Sequence, residues 1–284
     1  MNKSILLPAD QLSELIQRGD CVTVDCRFDF SDPDKARNDW LAAHIPGAVY
    51  ADMDKDLAAP IEDHTGRHPL PDTGDFSKYL ASIGWHTGKH LVAYDAGSGA
   101  LAVRLWWLMR YLGKPAAVLD GGIEAWKQAG YALESGEPEV QASPVEMLVP
   151  EDDMALDTEQ LMIHLDEVTV LDARSEERFT GEREHLDSKA GHIPGSLNRP
   201  YDSNLTEDVR FKSADKLRAE FEQLLGGRDL SHVVHSCGSG VTACHNLFAM
   251  ELAGLEPGRL YPGSWSEWIR DPSRPIETGP SRSA

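Results

Sequence analysis

Two tandem α/β domains, each a small parallel sheet flanked by helices, are predicted by this sequence on three observations. Its 284 residues are more than one hydrophobic core usually serves, so two domains are expected. Four short motifs recur in the same order roughly 145 residues apart, the mark of a duplicated unit. Between them, short β-branched runs alternate with helical patterns, and apolar strands set between helices belong to parallel sheets covered on both faces.

Val22-Thr-Val-Asp-Cys-Arg27 is echoed by Val168-Thr-Val-Leu-Asp-Ala-Arg174, and His44-Ile-Pro-Gly47 by His192-Ile-Pro-Gly195. Gly97-Ser-Gly99 returns as Gly238-Ser-Gly240, and Gly121-Gly-Ile-Glu-Ala-Trp126 as Gly263-Ser-Trp-Ser-Glu-Trp268. In the first copy the pattern predicts a helix from about Asp10 to Arg18 stopped by Gly19, and strands at Val22–Asp25 and Leu91–Tyr94. A helix from Ala100 to Leu112 stopped by Gly113 and a strand at Ala117–Leu119 complete it. The stretch from Glu137 to Asp153 carries Pro138, Pro144 and Pro150 among acidic residues and suits a connector. The expected domains are 1–139 and 156–284, joined by 140–155. The second copy offers strands at Val168–Leu171 and His232–His235 and a helix from Val241 to Ala253 stopped by Gly254.

Composition narrows the function. Asp and Glu number 47 against 27 Lys and Arg, a formal charge of −20, which opposes nucleic acid or any polyanion bound through a general field. A small anionic substrate needs a local cluster of cations instead. Four Cys without C-x-x-C spacing argue against a disulfide scaffold or a structural zinc site. The N-terminal apolar stretch is too short for a signal peptide, and the longest apolar segment, 100–113, carries Arg104 and Arg110. A soluble cytoplasmic protein with no membrane or nucleic-acid partner is expected.

In parallel sheets ligands sit beyond the carboxyl ends of the strands, which directs attention to Ser236-Cys237-Gly238-Ser239-Gly240-Val241-Thr242. A Cys between a strand and a helix start, followed by two Gly, places its thiol at the focus of free N–H groups and the positive helix end, where a thiolate is favoured. The plainer alternative is a small buried apolar residue in a tight turn. The sister copy argues against it: Ala96 stands at the equivalent position in Asp95-Ala96-Gly97-Ser98-Gly99, so both copies keep the turn and one has the sulfur. A phosphate-binding P-loop would need Lys before the Thr, where Val241 stands, and a Cys phosphatase would need an Arg where Ala243 stands.

Cys237-Gly-Ser-Gly-Val-Thr-Ala243, with Asp172-x-Arg174 and Gly191-His-Ile-Pro-Gly195 upstream and degenerate copies in the other half, resembles the tandem-domain rhodanese superfamily. The resemblance covers nearly the whole chain. It implies two rhodanese-like domains, the first catalytically silent, and a sulfurtransferase in which Cys237 accepts sulfur as a persulfide without metal or organic cofactor. Thioredoxin, another thiol or cyanide would then remove the sulfur. Thiosulfate-using members carry basic side chains directly after the Cys, whereas Gly238 and Ser239 resemble the mercaptopyruvate branch.

The resemblance also assigns residues. Arg178, in Arg178-Phe-Thr-Gly181, is implied to grip the donor carboxylate; the alternative is a surface Arg balancing Glu176, Glu177 and Glu182. The family's second substrate Arg has no counterpart in register, and Arg183 is the expected substitute. Gly238, Gly240, Val241 and Thr242 are expected to bind substrate through the loop backbone. Ser239, His68 and Asp54 are implied to form a proton relay, against plainer readings of His68 as a loop histidine and Asp54 as a solvated carboxylate. A thiosulfate sulfurtransferase and a persulfide carrier without turnover remain alternatives. Arg27, Arg174, His44 and His192 occur in both copies and are expected to be structural, and Cys244 to be buried.

Overall fold

The computed structural model describes residues 4–151 and 153–281. They fall into two compact units, one within Met1–Ala59, Leu70–Glu151 and Glu207–Arg210, the other within Pro60–Pro69, Asp152–Thr206 and Phe211–Ala284. Each half of the chain therefore lends a short segment to the other unit.

The first unit runs β1 Leu6–Leu7, α1 Ala9–Arg18, β2 Cys21–Asp25, α2 Pro33–Ala42, β3 Val49–Tyr50, α3 Thr73–Ser82, β4 His90–Tyr94, α4 Ala102–Tyr111, β5 Ala116–Leu119 and α5 Gly122–Gln128. Its strands form one parallel sheet in the order β1-β5-β4-β2-β3. Gly19 ends α1 in the left-handed region at φ 69°, its N–H returning to Ile16 O. Leu12, Val92, Tyr94, Leu119 and Trp126 meet in one core. In α4 every side chain from Ala102 to Met109 is buried, as a helix apolar nearly all round requires. The stretch expected to be a loose connector follows this unit up to Glu151: Ser143 N–H donates to Ala81 O, Leu148 N–H to Ser77 Oγ and Glu151 N–H to Tyr111 O.

The second unit contains α6 Thr158–Ile163, β6 Thr169–Asp172, α7 Glu176–Thr180, β7 Leu197–Asn198, α8 Ala214–Leu225, β8 Val233–Ser236, α9 Ala243–Leu252, β9 Arg259–Leu260 and α10 Ser264–Trp268. Its parallel sheet has the order β7-β6-β8-β9. The outer strand that β1 supplies in the first unit is here a single bridge, Ala155 to Leu260. Successive residues of β8 serve opposite faces: Val234 joins Leu161, Tyr261, Trp265 and Trp268, whereas Val233 joins Leu217, Phe221 and Met250. Each such fully buried side chain contributes about 1.5–3 kcal/mol.

The repeated motifs hold these units together. Arg27 forks onto Asp25 and donates to Ala43 O; Arg174 forks onto Asp172 and donates to Gly191 O. His44 and His192 pair through their backbones with Glu134 and Glu277, whose carboxylates accept the N–H of Gly47 and Gly195. Trp106, Trp107, Trp126 and Trp268 are all buried. Among the described residues, no helix is long and apolar enough to cross a membrane.

Candidate active site

The helix expected from Val241 begins at Ala243, and two residues between β8 and its start turn their N–H groups toward a sulfur atom. Cys237 is 1% exposed. The N–H groups of Ser239 and Gly240 point at its Sγ from 3.4 and 3.1 Å, an arrangement that favours negative charge on sulfur. Among the described residues, the N–H groups of Val241 and Thr242 have no protein acceptor, which leaves two donors at the helix entrance. Gly240 makes the turn at φ +78°, where a Cβ would sit 2.4 Å from Pro262 O, so only glycine fits.

A residue missed in the sequence closes this loop. Ser264 holds a left-handed φ of 52°, and its Oγ accepts the Cys237 N–H at 3.0 Å and lies 4.0 Å from Sγ. The signal was available: its counterpart Gly122 takes the same conformation, φ +55°, so a serine here carries strain that a glycine would not.

Around the loop stand further polar groups. Ser239 Oγ and His68 Nδ1 share a 2.7 Å hydrogen bond, both residues being buried. His68 reaches Ser239 because Pro60–Pro69 belongs to this unit. Arg178 donates through Nε to Glu184 and through Nη2 to Asp187 at 2.8 Å. Arg67, which nothing in the sequence pattern marks, donates to the other oxygen of Asp187. Both guanidinium groups lie against Gly238. Glu184 accepts the N–H groups of His185, Leu186 and Asp187; these and Arg178 hold its carboxyl below the ordinary range despite burial.

Arg183 is 74% exposed and lies 3.9 Å from the Glu177 carboxylate. Asp54 lies in the first unit, in the turn after β3; burial and neighbouring Asp52 raise its carboxyl pKa. Cys244, on the first turn of α9, is buried with Sγ directed at Gly240 O.

In the first unit the equivalent loop is filled from within. Asp95 accepts the N–H groups of Gly97, Gly99, Leu101 and Ala102. A carboxylate thus occupies the ring of donors, and the helix expected from Ala100 starts at Ala102.

The rhodanese-like domain, as a family, matches residues 8–129 and 157–271. The chain belongs to the rhodanese family. Among its relatives, the "Probable 3-mercaptopyruvate sulfurtransferase" of Pseudomonas aeruginosa is 44% identical across 98% of this chain and 100% of its own length. A Mycobacterium tuberculosis chain provisionally named thiosulfate sulfurtransferase SseB is 36% identical over 97% of each. The solved 3-mercaptopyruvate sulfurtransferase from Leishmania major superposes with a TM-score of 0.84 at 32% identity, over 94% of this chain and 75% of that one.

Proposed function

We propose that the chain is a sulfurtransferase that carries the sulfur of 3-mercaptopyruvate to a thiol or to cyanide through a persulfide on Cys237. The observation that carries this reading is the Cys237 sulfur held by the Ser239 and Gly240 N–H groups, with the Arg178 guanidinium beside Gly238. In the first step the thiolate attacks the donor sulfur, the carbon–sulfur bond breaks, and its electron pair passes to the methylene carbon of an enolate. The proton of the donor thiol moves to that carbon and completes pyruvate. Ser239 and His68, already hydrogen-bonded, are suited to carry it; Asp54 is the proposed third member of the relay. The persulfide is itself an anion, and the Val241 and Thr242 N–H groups are suited to its outer sulfur. A thiolate, from thioredoxin or a small thiol, then attacks that sulfur and restores Cys237; cyanide does the same and leaves as thiocyanate.

The reading places catalysis in the second repeat, with the first repeat silent, and suits a reducing compartment such as the cytoplasm. Mass spectrometry after incubation with mercaptopyruvate tests it: a gain of one sulfur on the peptide containing Cys237, with stoichiometric pyruvate, is expected. Sulfur loading with no pyruvate release would mark a carrier instead. A higher kcat/KM for thiosulfate than for mercaptopyruvate would favour the activity named for the mycobacterial relative.

A further inference from the structure

Two guanidinium groups face the residue that follows the nucleophile. A Cβ built on Gly238 would lie 2.8 Å from Arg67 Nη2 and 3.5 Å from Arg178 Nη1. Among the described residues, neither nitrogen donates to a protein acceptor. The opposite edges are tied down: Asp187 receives Arg67 Nη1 on one oxygen and Arg178 Nη2 on the other, and Glu184 receives Arg178 Nε. Asp187 and Glu184 are 3% and 4% exposed, so both anchors are buried. Arg67 is delivered by backbone contacts: Gly66 N–H donates to Glu267 Oε2 at 3.2 Å and Arg67 N–H to Ser266 Oγ at 3.1 Å. Gly66 admits no side chain, since a Cβ would sit 2.6 Å from Gly263 O.

We infer that Arg67 is a donor-binding residue acting as a pair with Arg178, and that Asp187 sets the charge this pair accepts. The inference rests on the sulfurtransferase reading and says how the donor is held. Two N–H edges fixed from behind and facing Gly238 suit a carboxylate, which takes charge-assisted hydrogen bonds from each. Arg67, Arg174 and Arg178 are matched in number by Asp172, Glu184 and Asp187. The cluster therefore has no net charge to offer a dianion, which would be left with surplus negative charge beside buried carboxylates. A monoanionic carboxylate donor fits better than thiosulfate.

The test uses the full chain and its variants Arg67→Gln, Arg67→Lys and Asp187→Asn, with three readouts. These are kcat and KM for each donor, pyruvate affinity by calorimetry, and transfer from preloaded Cys237 persulfide to dithiothreitol, a neutral acceptor. Arg67→Gln should raise KM for mercaptopyruvate and weaken pyruvate binding by about tenfold or more, with transfer to dithiothreitol unchanged and Arg67→Lys partly restoring affinity. Asp187→Asn should raise the ratio of thiosulfate to mercaptopyruvate kcat/KM several-fold. Unaltered pyruvate affinity in Arg67→Gln, or equal slowing of donor and acceptor steps, would overturn the assignment of Arg67; an unchanged donor ratio would overturn that of Asp187. A wild-type chain that binds pyruvate through Arg67 yet releases none from mercaptopyruvate would overturn the sulfurtransferase reading and leave the Arg67 assignment standing.

Discussion

Cys237 is almost wholly buried, so its reactivity lies in which groups face the sulfur. Its N–H partners belong to the backbone, and a side-chain change can leave them in place. Cys237→Ser should abolish sulfur transfer while keeping the thermal midpoint within a few degrees; residual transfer would move the nucleophile elsewhere. Ser239→Ala keeps its N–H on Sγ and removes only the hydroxyl bonded to His68. It should slow pyruvate release by about tenfold or more, with transfer from preloaded persulfide to a thiol unchanged. The nucleophile was legible because the repeat displayed it beside Ala96. The position of Arg178 beside Gly238 was foreshadowed only by a family pattern. Arg67 carried no signal: one Arg between a glycine and a histidine looks like any loop residue, and its place beside Gly238 arises only because residues 60–69 belong to the second unit.

The strand-to-helix loop was legible as an element because glycines and β-branched runs mark it, yet its two versions differ in a way that composition hides. In one the donors surround sulfur; in the other they surround Asp95. Asp95→Ala should leave four N–H groups without their acceptor and lower the stability of the first unit by about 3 kcal/mol or more, read as an earlier urea midpoint. Little change would mean that water replaces the carboxylate. The strands Cys21–Asp25, His90–Tyr94, Ala116–Leu119, Thr169–Asp172 and Val233–Ser236 and the helices Ala9–Arg18, Ala102–Tyr111 and Ala243–Leu252 lay within two residues of expectation, whereas the two-residue strands at Leu6, Val49, Leu197 and Arg259 were not foreseen. The helix Ala214–Leu225, with Leu217, Phe221 and Leu225 buried at four-residue spacing, and its counterpart Thr73–Ser82 contain none of the repeated motifs, so the duplication does not mark them.

Across the whole molecule, acid should act on the two units with opposite sign. In the second, burial in β8 lowers the His235 pKa to about 4, its Nε2–H donating to Pro257 O. The unfolded chain therefore binds more protons than the folded one between about pH 6.5 and 4, and stability is lost as pH falls through that window. In the first, burial raises the Asp56 pKa to about 6; there the folded form binds the extra proton, and stability is gained as pH falls. From pH 7 to 5 the second unit should lose about 2 kcal/mol and the first gain about 1 kcal/mol from these groups. Urea titrations of His235→Leu and Asp56→Asn, each with its own slope removed, check both signs.

Because residues 60–69 complete the second unit and residues 207–210 the first, the duplication has become a reciprocal exchange. A cut at the boundary between repeats would leave the thiol on one fragment and both His68 and Arg67 on the other. Parting the chain between its repeats would take from the sulfur-bearing half two residues proposed to serve it.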